Sequence, residues 1–473
     1  METFQRKKSS DYLKFSDVVH GMTKIDKRLS CIINTKEFQR LKNIRQLGLT
    51  HFVYPCANGT RFEHCIGVCH LVEELLDHLN IEQPELPITT DDRDCLIIAA
   101  LLHDVGHGPF SHIYEEAVKE TYPDSNFCHE DLSIEIARII LEKKSVQKVF
   151  PKMSSSPNFV FIKELITSKE NAFIENTKWP FEGRPASKSF LYEIIANSVT
   201  GIDVDKIDYV QRDTLYLNLK NGIHWKRCLD TIKVIEDPNS KLLRITFQDK
   251  VWTNLRDIVQ IRRDIHQRAC QHKGIRNIHE LLKKAITEAN SLMCFTKEDG
   301  TQIKLLEAWQ YPELYIQLDD SIFQKIQFSQ DDELALARSY IEKIIERELP
   351  TFCGLVKVKD RKKAKDDLEK HLKNKTTKKY ITSYSEINSG VEDGAPEHNI
   401  VFYSKPLPKT GYSVKEILSA SSENVDRWVN VYCEDFQDKN EFMEYLKEFC
   451  DAKKDCQFGE REVIPNIHYL PNK

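Results

Sequence analysis

Residues 103–112 read HDVGHGPFSH, and this stretch decides the fold and the chemistry to be expected of the chain. It follows an apolar helical run and begins with a histidine directly before an aspartate. At a helix end the backbone turns, so His103 and Asp104 can point at one ion, and we expect Gly106 and Gly108 to supply the freedom for that turn. Imidazole nitrogen and carboxylate oxygen are ligands for divalent ions, so the stretch predicts half of a metal site.

Two other segments offer the remaining ligands. His64 lies on a predicted amphipathic helix, in register with the apolar positions 68, 71, 75 and 79. A lone histidine there is more often a core residue, but with an HD pair downstream the ligand interpretation is favoured. Residues 201–209, GIDVDKIDY, offer Asp203, Asp205 and Asp208, of which Asp203 is expected to be a helix cap. Spacing alone does not choose among the three.

Three more histidines, His107, His112 and His129, lie close to the HD pair in sequence. Histidine titrates near neutrality and can bind phosphate or give a proton to a leaving oxygen. Any one of them could be structural, but five histidines around an HD pair favour a catalytic cluster. The pattern predicts a metal-dependent hydrolase of phosphate esters or anhydrides.

Composition excludes several other classes of protein. Apolar residues make up 40% and charged residues 30% of the 473 residues, a globular balance rather than a disordered one. No apolar run approaches the roughly 20 residues of a membrane span, and residues 1–11 lack an apolar signal core. We therefore expect an intracellular protein, nuclear or cytoplasmic, that is neither secreted nor membrane-bound. The 13 cysteines form no CxxC pairs and are expected to be reduced thiols. The net charge of −5 argues against nucleic-acid binding over the whole surface of the protein.

The predicted fold is mainly α, with a smaller mixed α+β lobe at the C-terminal end. We expect a flexible leader at 1–14, a helical catalytic core at 15–350 and the lobe at 351–473. Helical periodicity covers residues 32–49, 64–79, 95–102, 130–150, 189–213, 252–290 and 333–348, and alternation predicts strands at 241–248, 399–403 and 428–432. Residues 360–379 are strongly basic, which favours a solvated, mobile excursion over a phosphate-binding patch for nucleotide or nucleic acid.

Three strings together resemble the HD-superfamily deoxynucleoside triphosphate (dNTP) triphosphohydrolases: RFEH at 61–64, HDVGHGPFSH at 103–112 and GIDVDK at 201–206. They are most similar to the vertebrate branch with a SAM domain ahead of the HD domain, which includes antiviral restriction factors. The likeness runs from about residue 18 to near 450, and we expect no SAM domain before residue 15. The resemblance implies an HD-domain helical core. It also implies hydrolysis of a dNTP to deoxynucleoside and intact triphosphate through attack at the α-phosphorus.

The resemblance also implies the site residues. The implied metal ligands are His64, His103, Asp104 and Asp205, so the resemblance favours Asp205 over Asp203 as the fourth ligand. Two imidazoles and two carboxylates suit iron, manganese or zinc. A Mg²⁺ ion is expected on the nucleotide phosphates. The implied catalytic residues are His107 and His129 near the α-phosphate, and His112 as general acid to the leaving oxygen. Glu115 stands where the family has the aspartate that orients this general acid.

The substrate contacts implied by the resemblance concern the phosphates and the sugar. Those for phosphate are Arg61, Lys206 and Arg262; those for the sugar are Gln46 and Asp213 at the 3′-hydroxyl, Leu47 against the 2′-position, and Tyr209. Cys270 falls where the family has a second tyrosine at the sugar edge. Because a thiol cannot crowd the sugar as a phenol does, looser exclusion of ribonucleotides or wider base tolerance is expected.

The family is regulated by a guanine nucleotide in an allosteric pocket that drives tetramerisation. Gln39 and Arg40 match this pocket, and Lys273 matches a contact to the activator phosphates, but Asn34 and Lys42 replace an aspartate and an arginine. An amide oxygen accepts on one atom, whereas a carboxylate accepts from two guanine N–H donors. We expect a homo-oligomer, dimer or tetramer, whose activation by GTP or a dNTP is weaker than in the family or altered.

Two alternatives remain open on the sequence. The first is an HD-fold phosphodiesterase or nucleotide monophosphatase, which the predicted triphosphate and sugar contacts argue against. The second is a nucleic-acid-binding protein that uses the basic segment and leaves the HD site idle. The presence of all four predicted metal ligands argues against an idle HD site.

Overall fold

The computed structural model describes residues 9–167, 179–220, 222–237, 240–359, 361–387, 399–404, 412–413, 426–453 and 455–460. Its α-helices are α1 (Ser30–Ile33), α2 (Lys36–Gln39), α3 (Arg61–Glu82), α4 (Thr90–Leu102), α5 (His112–Thr121), α6 (His129–Leu141), α7 (Lys144–Gln147), α8 (Asn158–Ile166), α9 (Val204–Tyr216), α10 (Trp225–Leu229), α11 (Trp252–Ile265), α12 (Lys273–Ala289), α13 (Pro312–Tyr315), α14 (Ile322–Gln327), α15 (Ala335–Glu346), α16 (Arg361–Lys375) and α17 (Lys439–Asp451). Its strands are β1 (Tyr12–Asp17), β2 (Gly21–Asp26), β3 (Lys233–Glu236), β4 (Leu243–Gln248), β5 (Cys294–Thr296), β6 (Gln302–Lys304), β7 (Thr351–Lys357), β8 (Tyr380–Ile387), β9 (Val401–Tyr403), β10 (Tyr412–Ser413), β11 (Asp426–Cys433) and β12 (Gln457–Gly459). The mainly α prediction, with a smaller mixed lobe, is confirmed.

Helix α4 lies at the centre of the helical body. Every residue from Cys95 to Leu102 is completely buried, because α3 packs on one side of the helix and α8 on another. α3 also contacts α9, so three segments that are distant in sequence meet around α4. His103 ends α4, and the HD pair is therefore held at the middle of the molecule rather than on a surface loop.

The predicted helix over residues 32–49 is wrong as a continuous element. The structure has the single turns α1 and α2, followed by 3₁₀ turns at Arg40–Asn43 and Gly48–Phe52. The Thr35 hydroxyl accepts a hydrogen bond from the backbone N–H of Phe38 and restarts the helix there. Gly48 has a φ of +53°, which an α-helix does not allow. The apolar spacing is kept because the turns still bury one face.

The predicted leader at 1–14 is wrong in its last residues. Residues 1–8 lie outside the described part, but Tyr12–Asp17 is strand β1, which pairs antiparallel with β2. The turn between these strands places His20 against the helical body, where its Nε2 donates to the Asp208 carboxylate across 2.7 Å. This segment is therefore part of the packed core.

The C-terminal lobe is a four-stranded antiparallel sheet of order β12-β7-β11-β8, covered by α16 and α17. Residues 361–375 are helical, and Leu368 and Leu372 are completely buried in the lobe's own apolar core. The mobile excursion expected at 360–379 is therefore wrong for this helix. Its charged residues flank a buried apolar pair, which the composition of the segment concealed.

The predicted boundary at residue 350 does not fully separate the helical body from the C-terminal lobe. Strand β9 pairs parallel to β4, in a sheet of order β10-β9-β4-β3, and Phe402 is completely buried in the larger core of the helical body. A segment from beyond residue 350 thus completes the body. In the described part of the chain, no helix combines the length and apolarity that crossing a membrane requires.

Candidate active site

Three helices deliver the four predicted metal ligands to one point. His64 comes from the first turn of α3, His103 ends α4 with Asp104 directly after it, and Asp205 lies in the first turn of α9. The Nε2 atoms of the two histidines are 3.3 Å apart. His64 Nε2 lies 3.5 Å from Asp104 Oδ2 and 3.0 Å from Asp205 Oδ1, and His103 Nε2 lies 3.5 Å from each of these oxygens. Asp203 instead caps α9 by accepting from the N–H of Lys206, as expected.

The other ring nitrogen of each histidine is already used. His64 Nδ1 faces the Asp208 carboxylate at 2.8 Å, and His103 Nδ1 donates to the Ala100 carbonyl at 2.8 Å. Both partners are acceptors, so both Nδ1 atoms carry the proton and both Nε2 atoms present lone pairs. Two lone pairs and two carboxylate oxygens therefore converge with no donor hydrogen between the rings. Arg61 Nη1 donates to Asp104 Oδ2 from one side, and a divalent cation would suit the rest of the set.

The spacing of these atoms fits a divalent ion. Ligands at about 2.0–2.2 Å from an ion are about 3.0 Å apart at right angles and about 3.5 Å apart in a tetrahedron. The measured separations that involve the two histidines fall in this range, from 3.0 to 3.5 Å. Burial alone would lower the pKa of His64, but Asp205 and Asp208 outweigh it and raise that pKa to about 10. The carboxylates around His64 thus favour a positive charge at this position.

The three further histidines lie together beside the ligands. The rings of His107 and His129 stack at 3.9 Å, and His112 meets both edge-on at 4.9 and 5.2 Å. His107 Nε2 is 3.3 Å from Asp104 Oδ1. Burial lowers the pKa of His112 to about 4, helped by His129 and Arg61. These imidazoles are close enough for an anion bound between them to reach all three, and its charge would favour their protonation.

Glu115 does not pair with His112 as expected. Its Oε2 lies 2.7 Å from His129 Nδ1, and its other oxygen accepts from Lys119. α6 begins at His129 and brings that ring over the first turn of α5, which the sequence spacing did not indicate. Burial raises the pKa of Glu115, but the bond to His129 outweighs it and lowers that pKa to about 2. The carboxylate therefore orients His129.

A cavity of about 580 Å³ opens beside the ligand cluster. The predicted residues that line it are Gln46, Leu47, Arg61, His64, Asp104, His107, His112, His129, Asp205, Lys206, Tyr209, Asp213, Arg262 and Cys270. His103 lies behind this wall, and Glu115 lies behind His129. Residues that are more than two hundred positions apart in the sequence thus line one cavity, and its volume is that of a typical small-molecule site.

The three predicted phosphate contacts are held by neighbouring groups. Arg61 is 4% exposed and donates from Nη1 to Asp104 and from Nε to Ser111 Oγ, the latter at 2.8 Å. Lys206 Nζ donates to Asp203 across 2.9 Å, and Arg262 Nε donates to Tyr209 across 2.9 Å. Each cation therefore reaches the cavity in a fixed direction.

The predicted sugar contacts include two groups that suit a polar ligand. Gln46 Oε1 is buried and has no hydrogen-bond partner among the described residues. Burial raises the pKa of Asp213 to about 7. An unpartnered buried acceptor is costly, so a donor from a ligand would stabilise it. Leu47 and Cys270 are partly buried at the same cavity, and Cys270 lies in a π-helical turn, His266–Cys270, between α11 and α12.

The predicted allosteric residues are not alike. Arg40 is 6% exposed, and its guanidinium donates to the carbonyls of Leu318, Val105 and His107 at 2.5, 3.2 and 2.6 Å. Arg40 therefore braces the loop after the HD pair, and its contact with a nucleotide stays a prediction.

The other predicted allosteric residues are at least partly exposed. Asn34 and Lys42 are exposed, with the Lys42 ammonium over the ring of Phe62, and Gln39 donates to the Ile33 carbonyl at 2.7 Å. Lys273 is half-buried, with its ammonium over the ring of Phe352.

Gly106 and Gly108 are needed for close packing, not for conformational freedom. Neither has a positive φ, so the expected reason is wrong. A Cβ on Gly106 would lie 2.2 Å from the His129 carbonyl oxygen and 2.3 Å from the Ser133 nitrogen. α6 therefore packs directly on this loop, and that contact fixes where His129 stands.

The sequence offered Asp208 only as a candidate metal ligand and indicated no role for Arg212. Asp208 is completely buried; besides its contact with His64, it accepts from Arg212 Nε and Nη2 at 2.8 Å each. A Cβ on Gly67 of α3 would meet Asp208 Oδ1 at 2.0 Å, so glycine lets α9 approach α3. The spacing of Asp205 and Asp208, three residues apart on one helix face, was the available signal.

Comparison with known proteins agrees with this geometry. The HD domain family model matches residues 61–176. The chain is 36% identical to deoxynucleoside triphosphate triphosphohydrolase SAMHD1 of Gallus gallus, over 91% of this chain and 73% of the relative. The chain belongs to the SAMHD1 family. The human SAMHD1 protein is 32% identical over 95% of this chain and 75% of its own length, and the SAMHD1 homolog of Dictyostelium discoideum is 29% identical over 99% and 83%.

Proposed function

We propose that this chain hydrolyses dNTPs to deoxynucleoside and inorganic triphosphate at the cavity beside the HD pair. The observation that carries the proposal is that the Nε2 atoms of His64 and His103 lie 3.3 Å apart and each lies 3.0–3.5 Å from a carboxylate oxygen of Asp104 and of Asp205. These residues lie beside a cavity that is also lined by Arg61, Lys206 and Arg262. The names of the SAMHD1 relatives support the same reaction. His64, His103, Asp104 and Asp205 would hold iron, manganese or zinc.

The bound ion would polarise the α-phosphate and lower the pKa of a water molecule. Arg61, Lys206 and Arg262 would bind the phosphate oxygens, which a Mg²⁺ ion carried by the substrate would also contact. A fixed guanidinium offers two parallel donors to a phosphate, so Arg61 would orient the α-phosphate as well as attract it. Its anchors, Asp104 and Ser111, keep it beside the ion.

His112 would protonate the 5′-oxygen as that oxygen leaves. The pKa of His112 is about 4, because burial and then the neighbouring His129 and Arg61 disfavour the imidazolium. A tetra-anionic substrate reverses the sign of the surrounding charge, so binding would raise this pKa and charge the ring. His107 and His129 would contact the α-phosphate, with His129 held in orientation by Glu115.

The deoxyribose would lie between Leu47, Tyr209 and the acceptors Gln46 and Asp213. The unpartnered Gln46 oxygen would accept from the 3′-hydroxyl, and the Asp213 carboxyl would lie beside the same hydroxyl. Leu47 would crowd a 2′-hydroxyl, and Cys270 leaves more room than a tyrosine. We further propose that the protein forms a homo-oligomer and that a nucleotide near Asn34, Gln39, Lys42 and Lys273 modulates it.

Product analysis separates this reaction from the alternatives. Purified protein is incubated with each dNTP and each ribonucleotide, with and without GTP, and nucleoside and triphosphate are resolved chromatographically. Equimolar deoxynucleoside and triphosphate are expected. Release of orthophosphate or pyrophosphate instead would indicate a different HD-fold phosphohydrolase.

A further inference from the structure

The cavity continues past the residues that the proposed reaction uses. Its further lining includes Glu116, His266, Gln271, Arg276 and His279. Glu116 comes from α5 and His266 from the π-helical turn, Gln271 follows that turn directly after Cys270, and Arg276 and His279 lie on α12. This end of the cavity is strongly polar, which an unselective hydrophobic base pocket would not require.

Glu116 lies one turn beyond His112 on the same face of α5. Four residues of α-helix span about 6 Å, which is the scale of one deoxyribose. If His112 meets the 5′-oxygen, Glu116 is therefore placed where the base of the same nucleotide begins.

The Glu116 carboxylate is fixed from behind. Arg276 donates from Nη1 to Oε1 at 3.1 Å and from Nη2 to Oε2 at 3.2 Å, and Lys283 Nζ is 3.4 Å from Oε2. The Glu116 side chain is 34% exposed, whereas that of Arg276 is 8% exposed, so the carboxylate faces the cavity and the guanidinium backs it. Burial would raise the pKa of Glu116, but Arg276 and Lys283 outweigh it and lower that pKa. Glu116 is thus an ionised, acceptor-only group near neutrality.

Three other polar atoms of this group of residues have no partner among the described residues. Gln271 Oε1, His279 Nε2 and His266 Nδ1 are buried without a hydrogen bond there. Burial and the charge of Arg276 lower the pKa of His279 to about 3, so its ring is neutral. Buried groups in this state gain from a ligand that supplies the missing bonds.

We propose that this end of the cavity selects the nucleobase: Glu116 and Gln271 accept hydrogen bonds from the amino group that adenine carries at C6 and cytosine at C4, which favours these two bases over thymine and guanine. Thymine and guanine present a carbonyl oxygen at that position, and an oxygen opposite a carboxylate is repelled. Cys270 contributes by leaving space for the base to reach Glu116. The inference rests on the proposed function, since it takes a dNTP as the ligand.

The direct test is the kcat/KM of the wild-type protein for each of the four dNTPs, measured singly. A hydrogen bond to a charged group is worth about 1.5–3 kcal/mol, and about 1.4 kcal/mol is tenfold in affinity. We expect kcat/KM for dTTP and dGTP to be at least about tenfold below that for dATP and dCTP. Equilibrium binding of the four dNTPs to metal-stripped protein is measured alongside.

Two variants and one control identify the responsible side chains. Glu116→Gln keeps the size of the side chain but adds a donor, so the ratio of dTTP to dATP turnover should rise about tenfold. Gln271→Leu removes the second acceptor without a change of charge and should raise the ratio in the same direction. Glu120→Gln is the matched control, because Glu120 lies one turn further along α5, is 48% exposed, and contacts the same Lys283 at 2.7 Å. Its ratio should equal that of the wild type.

The outcomes separate this inference from the proposed function. Absence of triphosphate from every dNTP would contradict the proposed function, and the ratio of the binding constants would still decide the inference. Equal kcat/KM and equal Kd for all four dNTPs would overturn it. A ratio that moves equally in Glu116→Gln and Glu120→Gln would also overturn it, since the effect would then be one of charge alone.

Discussion

At the scale of single residues, the site depends on groups that hold the ligands as much as on the ligands. Asp208 fixes the His64 ring through Nδ1, and it is fixed in turn by Arg212 and by His20 from the β1–β2 turn. A carboxylate behind a ligating histidine sets the ring's tautomer and raises its basicity. The histidine therefore enters the site already oriented.

Replacing this carboxylate should weaken metal binding. Asp208→Asn leaves the four ligands in place but removes the charge behind His64, so affinity for Mn²⁺ or Zn²⁺ should fall about 10–100-fold. Competition with a chromophoric chelator measures the affinity directly, without turnover. Asp230→Asn, at an exposed position, is the control. An unchanged affinity in Asp208→Asn would show that the residue has only a structural role.

A second residue-scale prediction concerns the sugar. Cys270→Tyr restores the bulk that the related enzymes are expected to have at this position. Turnover or binding of ribonucleotides should therefore fall relative to that of dNTPs by about tenfold, which corresponds to the loss of one favourable contact. The ratio of kcat/KM for dATP and ATP measures the effect. If wild type and variant discriminate equally, Leu47 alone accounts for ribose exclusion.

At the scale of secondary-structure elements, buried ion pairs join the helices around α4. Asp92, in the first turn of α4, is completely buried and accepts from Arg184 Nε at 2.5 Å and from Lys188. It also accepts from the N–H of Thr89 at 2.8 Å, which closes a capping box. One side chain thus begins α4 and attaches the loop before α9 to it.

Asp92→Asn should destabilise the fold by about 3–5 kcal/mol, because two buried cations lose their counter-charge. Burial would raise the pKa of Asp92, but Lys188 and Arg184 outweigh it and hold that pKa below 3.8. The stabilisation is therefore present above about pH 4 and is lost as pH falls through the lower folded-state pKa. Denaturant unfolding at pH 7 and at low pH measures both. Asp91→Asn, whose side chain is 41% exposed, should change stability by less than about 0.5 kcal/mol.

The elements show how far sequence could predict this fold. The hydrophobic periodicity of the sequence is enough to predict α3, α4 and strand β11, because each of them has one continuous buried face or one continuous buried run. Residues 32–49 have the same apolar spacing but form separate turns, since capping by Thr35 and the positive φ of Gly48 compete with helix propagation. The buried pair in α16 was concealed by its charged neighbours.

The site divides in the same way. The ligands and most cavity residues could be predicted because motifs carry them. Two contacts could not be, namely Glu115 with His129 and Arg40 with backbone carbonyls, because they depend on which helix approaches which loop.

At the scale of the whole molecule, the lobe and the helical body are joined beside the cavity. Arg276 donates from Nε to Ser383 Oγ of β8 at 3.0 Å, and the Tyr432 hydroxyl of β11 donates to the Lys273 carbonyl at 2.8 Å. β9 completes a sheet of the body. A ligand that changes α12 would therefore act on both parts.

Activation of the whole molecule by a nucleotide should be weaker than in the family, or altered. Asn34 offers guanine a single acceptor atom, and Arg40 is committed to the loop after the HD pair. GTP titrated against dNTP turnover, with oligomeric state followed by light scattering, should show weak activation or none. Sharp activation with tetramer formation at low micromolar GTP would contradict this expectation.

The central claim is that the four convergent ligands make a metal-dependent triphosphohydrolase. The most direct measurement is triphosphate released from a dNTP by wild-type, chelator-stripped, remetallated and Asp205→Ala protein, each verified as folded by thermal melting. Release should disappear on stripping, return with a transition metal, and be absent in the variant under all conditions. Triphosphate released at the wild-type rate by stripped protein or by Asp205→Ala would contradict the account.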